Sequence, residues 1–208
     1  MTVKIPRRIL IAQEIRALRS LSRAVGGWEA LRIGVEIRKA SGRGQPWAGR
    51  PDAVSEAEVW SRQQVAGAIL LYQTLLTRAY PNALALTREI VVSAAIPWMK
   101  WAIGTLSREH YEGLDDAERE AWFRARSLAF GNMTVGAVEA GRRGMTFQVT
   151  ACHFPSLCDL ADVPELAPVF CAVDAFYFGG VQRDVDLDRA ETIAGGDSRC
   201  TFRFRWKP

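Results

Sequence analysis

Apolar positions in the first 130 residues recur mostly at helical spacing. Ile11, Ile15, Leu18, Leu21 and Val25 fall at three- and four-residue steps, with Arg8, Arg16, Arg19 and Arg23 between them. This predicts an amphipathic helix from Pro6 to Gly26-Gly27, with its packing partner left open. Trp28 to Ile37 reads as a second short helix, and the Gly- and Pro-rich stretch Ser41 to Pro51 as a loop. Ser55 followed by Glu58 is a capping box opening a helix over Glu56 to Thr77. That helix is apolar over so much of its surface that it is expected to be central. Pro81 separates it from a helix over Asn82 to Ile96, which Pro97-Trp98 is expected to break or kink. Trp98, Met99 and Trp101 read as core packing. Asp116 to Leu128 has acids in its first turn and arginines in its last, again a helix.

After Phe130 the period changes. Asn132 to Ala140 and Met145 to Ala151 alternate loosely around Gly-Arg-Arg-Gly, which predicts a β-hairpin turning at Gly141 and Gly144. A helical stretch follows over Ser156 to Tyr177, broken by Pro164 and Pro168. Asp186 to Ala194 and Ser198 to Trp206 read as a second hairpin around Gly195-Gly196-Asp197. Phe202, Phe204 and Trp206 share one face of its last strand, and Arg203 and Arg205 the other. The expected fold is α+β: an N-terminal helical half packed on a small antiparallel sheet built from two β-hairpins with an intervening helix. At 208 residues the expectation is a single domain. Within it, 1–50 is a basic helical extension and loop, 55–130 is helical, and 131–208 is the α+β part that bears the site.

Composition narrows the class. With 49% apolar and 24% charged residues, the chain can build an ordinary core. The N-terminal apolar run is interrupted too early for a signal peptide, and no run is long enough to span a bilayer. A cytoplasmic protein with free thiols is expected. The net charge of +4 hides an asymmetry: residues 1–50 hold 11 Lys/Arg against 3 Asp/Glu, so +8, and the remainder 16 against 20, so −4. The basic part reads as the Arg-rich solvent face of an amphipathic helix. Without an aromatic platform, a zinc-finger spacing or a helix-turn-helix pattern, no nucleic-acid partner is expected, and no membrane partner either.

All four cysteines lie in the last third, with one of the two histidines, His153. Cys152 ends a strand, where a side chain can leave the core and face a pocket. His153 is adjacent, but strand neighbours point to opposite faces, so it is not the obvious base for Cys152. Cys171 and Asp174 lie three apart on a helix and share a face. A carboxylate raises a neighbouring thiol's pKa, which suits Asp174 to hydrogen-bonding a substrate or moving protons. Cys200 follows the Gly-Gly-Asp turn and shares the face of Phe202. Cys158 reads as a small core residue, and His110 as a surface residue. No C-x-x-C pair, phosphate loop, dinucleotide fingerprint or G-x-S-x-G elbow is present. No metal and no cofactor are therefore expected.

Three blocks carry a resemblance: V-T-A-C at 149–152, P-E-L-A-P-V-F-C-A-V-D at 164–174, and E-T-I-A-G-G-D-S-R-C-T-F-R-F at 191–204. In this order they resemble the L-2-amino-thiazoline-4-carboxylic acid hydrolase family. The last block is also similar to the end of vinyl-reductase-type small-molecule-binding domains, which are α+β. The resemblance implies hydrolytic opening of a cyclic amidine and carries function onto Cys152, Cys171, Asp174 and Cys200. On that reading a Cys152 thiolate attacks the amidine carbon, Asp174 or His153 shuttles protons, and Arg189 or Arg203 holds a substrate carboxylate. The other reading is a non-catalytic module that binds a small molecule in the same pocket. Either way the partner is a small molecule, and homo-oligomerisation is left open.

Overall fold

The computed structural model describes residues 5–208. α1 (Arg7–Val25) starts after Pro6 and ends where Gly26 takes φ 86°. α2 (Gly27–Gly42) follows at once and runs past the expected end at Ile37. α3 (Glu56–Thr77) occupies its expected span. Ser55 Oγ accepts from the Glu58 N–H at 3.1 Å, while the Glu58 carboxylate accepts from the Val54 N–H rather than from that of Ser55. Val65, Ile69 and Leu75 are fully buried, which makes α3 a central helix.

The expected end of the fourth helix at Ile96 is corrected. α4 (Ala83–Ala102) does not break at Pro97, which lies inside it. Proline removes one N–H from the helical ladder. The turn beyond it is nevertheless held by packing, since Met99, Ile103 and Leu106 are 1–3% exposed in the core beneath the sheet. On α1, burial falls on Ser20 and Leu21, with Ala17 packed beside them, as the helix lies against α4. Of the apolar positions, Ile11, Ile15 and Leu18 are each more than 40% exposed, while Leu21 is buried and Val25 packs against the core.

α5 (Arg108–Glu112) and α6 (Asp116–Leu128) lead to the sheet; Asp115 and Glu118 form a complete capping box at α6. The strands are β1 (Met133–Gly141), β2 (Gly144–Cys152), β3 (Val185–Asp188) and β4 (Cys200–Trp206). All neighbours pair antiparallel in the order β1-β2-β4-β3, so the fold is α+β. The first hairpin closes with Gly141 opposite Gly144. A Cβ at Gly144 would stand 2.5 Å from the Phe204 carbonyl oxygen, so only glycine fits there.

α7 (His153–Leu160) and α8 (Ala167–Phe176) lie between the hairpins, and α8 runs on as one π-helical turn over Tyr177–Val181. Pro168 does not break this stretch; it sits in the first turn of α8, where a missing N–H costs no bond. The second hairpin is also corrected. β3 stops at Asp188, and residues 189–199 form an excursion with a short 3₁₀ turn at Ile193–Gly195. Local bonds fold that segment on itself: the Asp197 carboxylate accepts from the Thr192 N–H, and Thr192 Oγ1 from the Gly195 N–H.

The inner sheet face buries Met145, Phe147 and Val149 of β2 and Cys200, Phe202 and Phe204 of β4. Phe147 stacks on Phe202, its register partner, at 4.5 Å. A second core joins α2, α3, α7 and α8. α8 serves both, with Phe170 in one and Val173 in the other. No helix among the described residues is long and apolar enough to cross a membrane.

Candidate functional site

Strict alternation along β2 would place Cys152 with Thr146, Gln148 and Thr150, on the outer face. The register prevents this. Thr134 pairs with Ala151 and Val135 with Val149, so Thr150 is an extra residue without a partner. Such a bulge reverses the alternation beyond it. Thr150 and Ala151 are exposed, and Cys152 packs against the inner-face core. β4 delivers Cys200 to the same face, opposite Val149.

The sulfurs are met by N–H groups. Asn132, 6% exposed and just ahead of β1, donates from Nδ2 to Cys152 Sγ at 3.6 Å. Its carbonyl accepts the His153 N–H at 2.9 Å, which fixes the strand-to-helix corner. The Ile193 N–H donates to Cys200 Sγ at 3.2 Å. The Gly195-Gly196-Asp197 segment makes this contact possible: Gly196 adopts φ 99°, and the turn held by Thr192 and Asp197 aims the Ile193 amide inward.

α8 supplies Cys171 and Asp174. Arg189, just beyond β3, donates from Nη1 to the Asp174 carboxylate at 2.7 Å and from Nη2 to the Cys171 carbonyl at 2.6 Å. Its guanidinium lies 4.6 Å from the centre of the Phe202 ring. The two side chains are 7% and 15% exposed, so the ion pair is largely buried. Cys152, Cys171, Cys200 and Asp174 are near enough for their charges to act on one another.

Burial dominates the titration of every thiol here. It pushes Cys152 up to about 11, against the opposing influence of the Phe154 amide and Asn132. It pushes Cys171 up to about 12, although Arg189 pulls the other way. Cys200 is raised by burial too, opposed by the Ile193 amide. Burial likewise pushes the Asp174 carboxyl above its ordinary value, with Arg189 opposing through charge and hydrogen bond. At neutral pH the three thiols are therefore protonated.

The remaining expected residues are elsewhere or otherwise occupied. His153 opens α7, and its backbone N–H donates to the Asn132 carbonyl. Arg203 follows Phe202 on β4 and lies on the outer face, half-exposed. Arg189 is in the cluster, but both its Nη groups are engaged within the protein. Cys158 is fully buried in the second core, and His110 is exposed beside Trp122. Among the described residues no group of three or more His, Cys, Asp or Glu is arranged to hold a metal ion. Two surface depressions lie away from the thiols, one at Ser107–Leu114 and one beside the 45–50 loop.

Asn132 and the backbone amides of Phe154 and Ile193 escape a sequence reading. Asn132 carried one faint signal, a polar residue where the helical period gives way to alternation. The amides carried none, because a backbone donor has no identity in sequence.

The model of a family described as L-2-amino-thiazoline-4-carboxylic acid hydrolase matches residues 64–204. No curated protein and no solved structure matches the chain.

Proposed function

Since this chain belongs to the L-2-amino-thiazoline-4-carboxylic acid hydrolase family, we propose that it hydrolyses a small cyclic amidine carrying a carboxylate, with Cys152 as nucleophile. The observation that carries this reading is the Thr150 bulge, which sets the Cys152 sulfur on the inner face with Cys171, Cys200 and Asp174. Cys152 is partly buried and is the last residue of β2, directly before α7.

The thiol is neutral at rest, so it needs a proton acceptor when substrate arrives. Asp174, the carboxylate nearest the thiols, is held by Arg189. The substrate's own amidine nitrogen is the fitting acceptor: taking the proton makes the sulfur nucleophilic and the amidine carbon more electrophilic in one step. The sulfur then bonds to that carbon, and the adduct collapses with cleavage of a ring bond, the leaving heteroatom taking up a proton. Water attacks the same carbon and expels the sulfur, which is reprotonated. The net change is the addition of one water. Asn132 Nδ2 and the Phe154 amide steady charge on the sulfur during these steps. Asp174 and Arg189 act as positioning residues, holding α8 and its Cys171 to the sheet.

Incubating the protein with a 2-aminothiazoline carboxylate and following product by mass spectrometry tests the reading. Cys152→Ser is expected to abolish turnover and keep the far-ultraviolet circular dichroism; turnover retained in that variant sinks the mechanism.

A second reading is binding without turnover. The raised thiol pKa values and the closed Asp174–Arg189 pair favour it, because neither suits a resting nucleophile. It is distinguished by tryptophan-fluorescence titration: saturable binding with no product, unaffected by Cys152→Ser.

A further inference from the structure

The first two helices carry apolar side chains that none of the described residues covers. On α1, Ile11, Ile15 and Leu18 are 44%, 43% and 42% exposed. On α2, Trp28, Leu31 and Val35 are 72%, 52% and 52% exposed. These three stand at i, i+3 and i+7 and form one stripe. Ala30 and Ile33 of the same helix are fully buried, and Ile37 packs beside them. α2 is thus apolar on two sides, and only one of them meets protein.

Basic side chains border both stripes. Arg8, Arg19 and Arg23 are exposed on α1, and Arg32, Arg38 and Lys39 on α2. Three acids share these helices: Glu14 is exposed on α1, and Glu29 and Glu36 both bind Arg78 at the end of α3. The Arg32 guanidinium lies 5.9 Å from the centre of the Trp28 ring. The pair therefore presents apolar groups, an exposed tryptophan and excess positive charge on the same two helices.

Charge selects the occupant. Two copies meeting through this surface would bring together two helix pairs, each with 8 Lys/Arg against 3 Asp/Glu over residues 7–42, so net +5 each. An anionic lipid surface answers both features: its acyl boundary takes Trp28, Leu31 and Val35, and its headgroups take the arginines. We propose that the α1–α2 surface docks peripherally on anionic membranes. This departs from the expectation of no membrane partner, which read the basic part as an Arg-rich solvent face; a helix lying on a bilayer needs no spanning apolar run.

Co-sedimentation of the full chain with vesicles tests the proposal. It is expected to bind mixed phosphatidylglycerol–phosphatidylcholine vesicles, to release at high salt, and to ignore pure phosphatidylcholine. Leu31→Gln with Val35→Gln leaves the net charge unchanged and is expected to abolish binding while circular dichroism is kept. Arg8→Gln and Arg19→Gln are each expected to weaken partitioning roughly five-fold. Equal binding to neutral vesicles overturns the proposal, as does no binding to anionic ones at low salt. So does full binding by the double-glutamine variant. Sedimentation velocity supplies the remaining arm: a dimer that this variant dissolves, without vesicle binding, assigns the surface to a second copy instead.

Discussion

At Cys152 two influences on one sulfur can be separated. Burial raises its pKa to about 11, while Asn132 and the Phe154 amide favour the thiolate. Alkylation by iodoacetamide, followed at the Cys152 peptide by mass spectrometry, is therefore expected to be slow at neutral pH and to rise with a midpoint near 11. Asn132→Ala removes a donor to the charged form, so its midpoint moves further up. A midpoint below the ordinary thiol value of 9.0 would show instead that the folded protein activates this cysteine. Cys171 and Cys200 titrate under the same burial, and what distinguishes Cys152 is its place at the end of a strand.

At the level of elements, the Asp174–Arg189 pair ties α8 to the sheet. Both partners are desolvated, so removing one strands the other. Arg189→Met alone is expected to cost ~3–5 kcal/mol, because it leaves a buried carboxyl without its cation. Asp174→Leu combined with Arg189→Met is expected to recover most of that loss, since an apolar pair of similar volume avoids the desolvation of both charges. Urea unfolding of the single and double variants checks this; additive losses would show that the pair is worth more than the cost of burying it. The bulge at Thr150 acts at the same scale. One unpaired residue moves the Cys152 side chain to the other face of the sheet, and no substitution at Cys152 itself could do that.

For the whole molecule, the buried thiols set an alkaline limit. Cys152 stands at about 11 and Cys158 and Cys171 at about 12, all through burial, against an ordinary 9.0. Tyr72 and Tyr177 are raised from 10.0 to about 12, again chiefly by burial. Above pH 9 the unfolded chain releases protons that the folded chain keeps, so the unfolded state gains. Folding stability is expected to hold below pH 9 and to fall steadily as pH rises through 11 and 12. Urea midpoints across this range check it, and Cys158→Val is expected to flatten the slope. A stability that rises between pH 9 and 11 would contradict the burial of these groups.

The period of the chain determined most of its elements. α3 and α6 lie where their spacing and caps place them, and the first hairpin closes between the glycines that permit it. These are local properties, fixed by propensity, capping and turn chemistry within a few residues. The three blocks around Cys152, Cys171 and Cys200 also made the family legible. Tertiary structure decided the rest. Packing on the sheet carried α4 through Pro97, and the packing of α1 on the helices around it buried Leu21 but left Ile11, Ile15 and Leu18 exposed. Side-chain and backbone bonds within 189–199 replaced a tight turn with an excursion. Pairing with β1 put the bulge at Thr150, which faces Cys152 inward; Asn132 meets its sulfur from 20 residues away. Each of these outcomes depends on contacts between distant parts of the chain, and local spacing does not encode them.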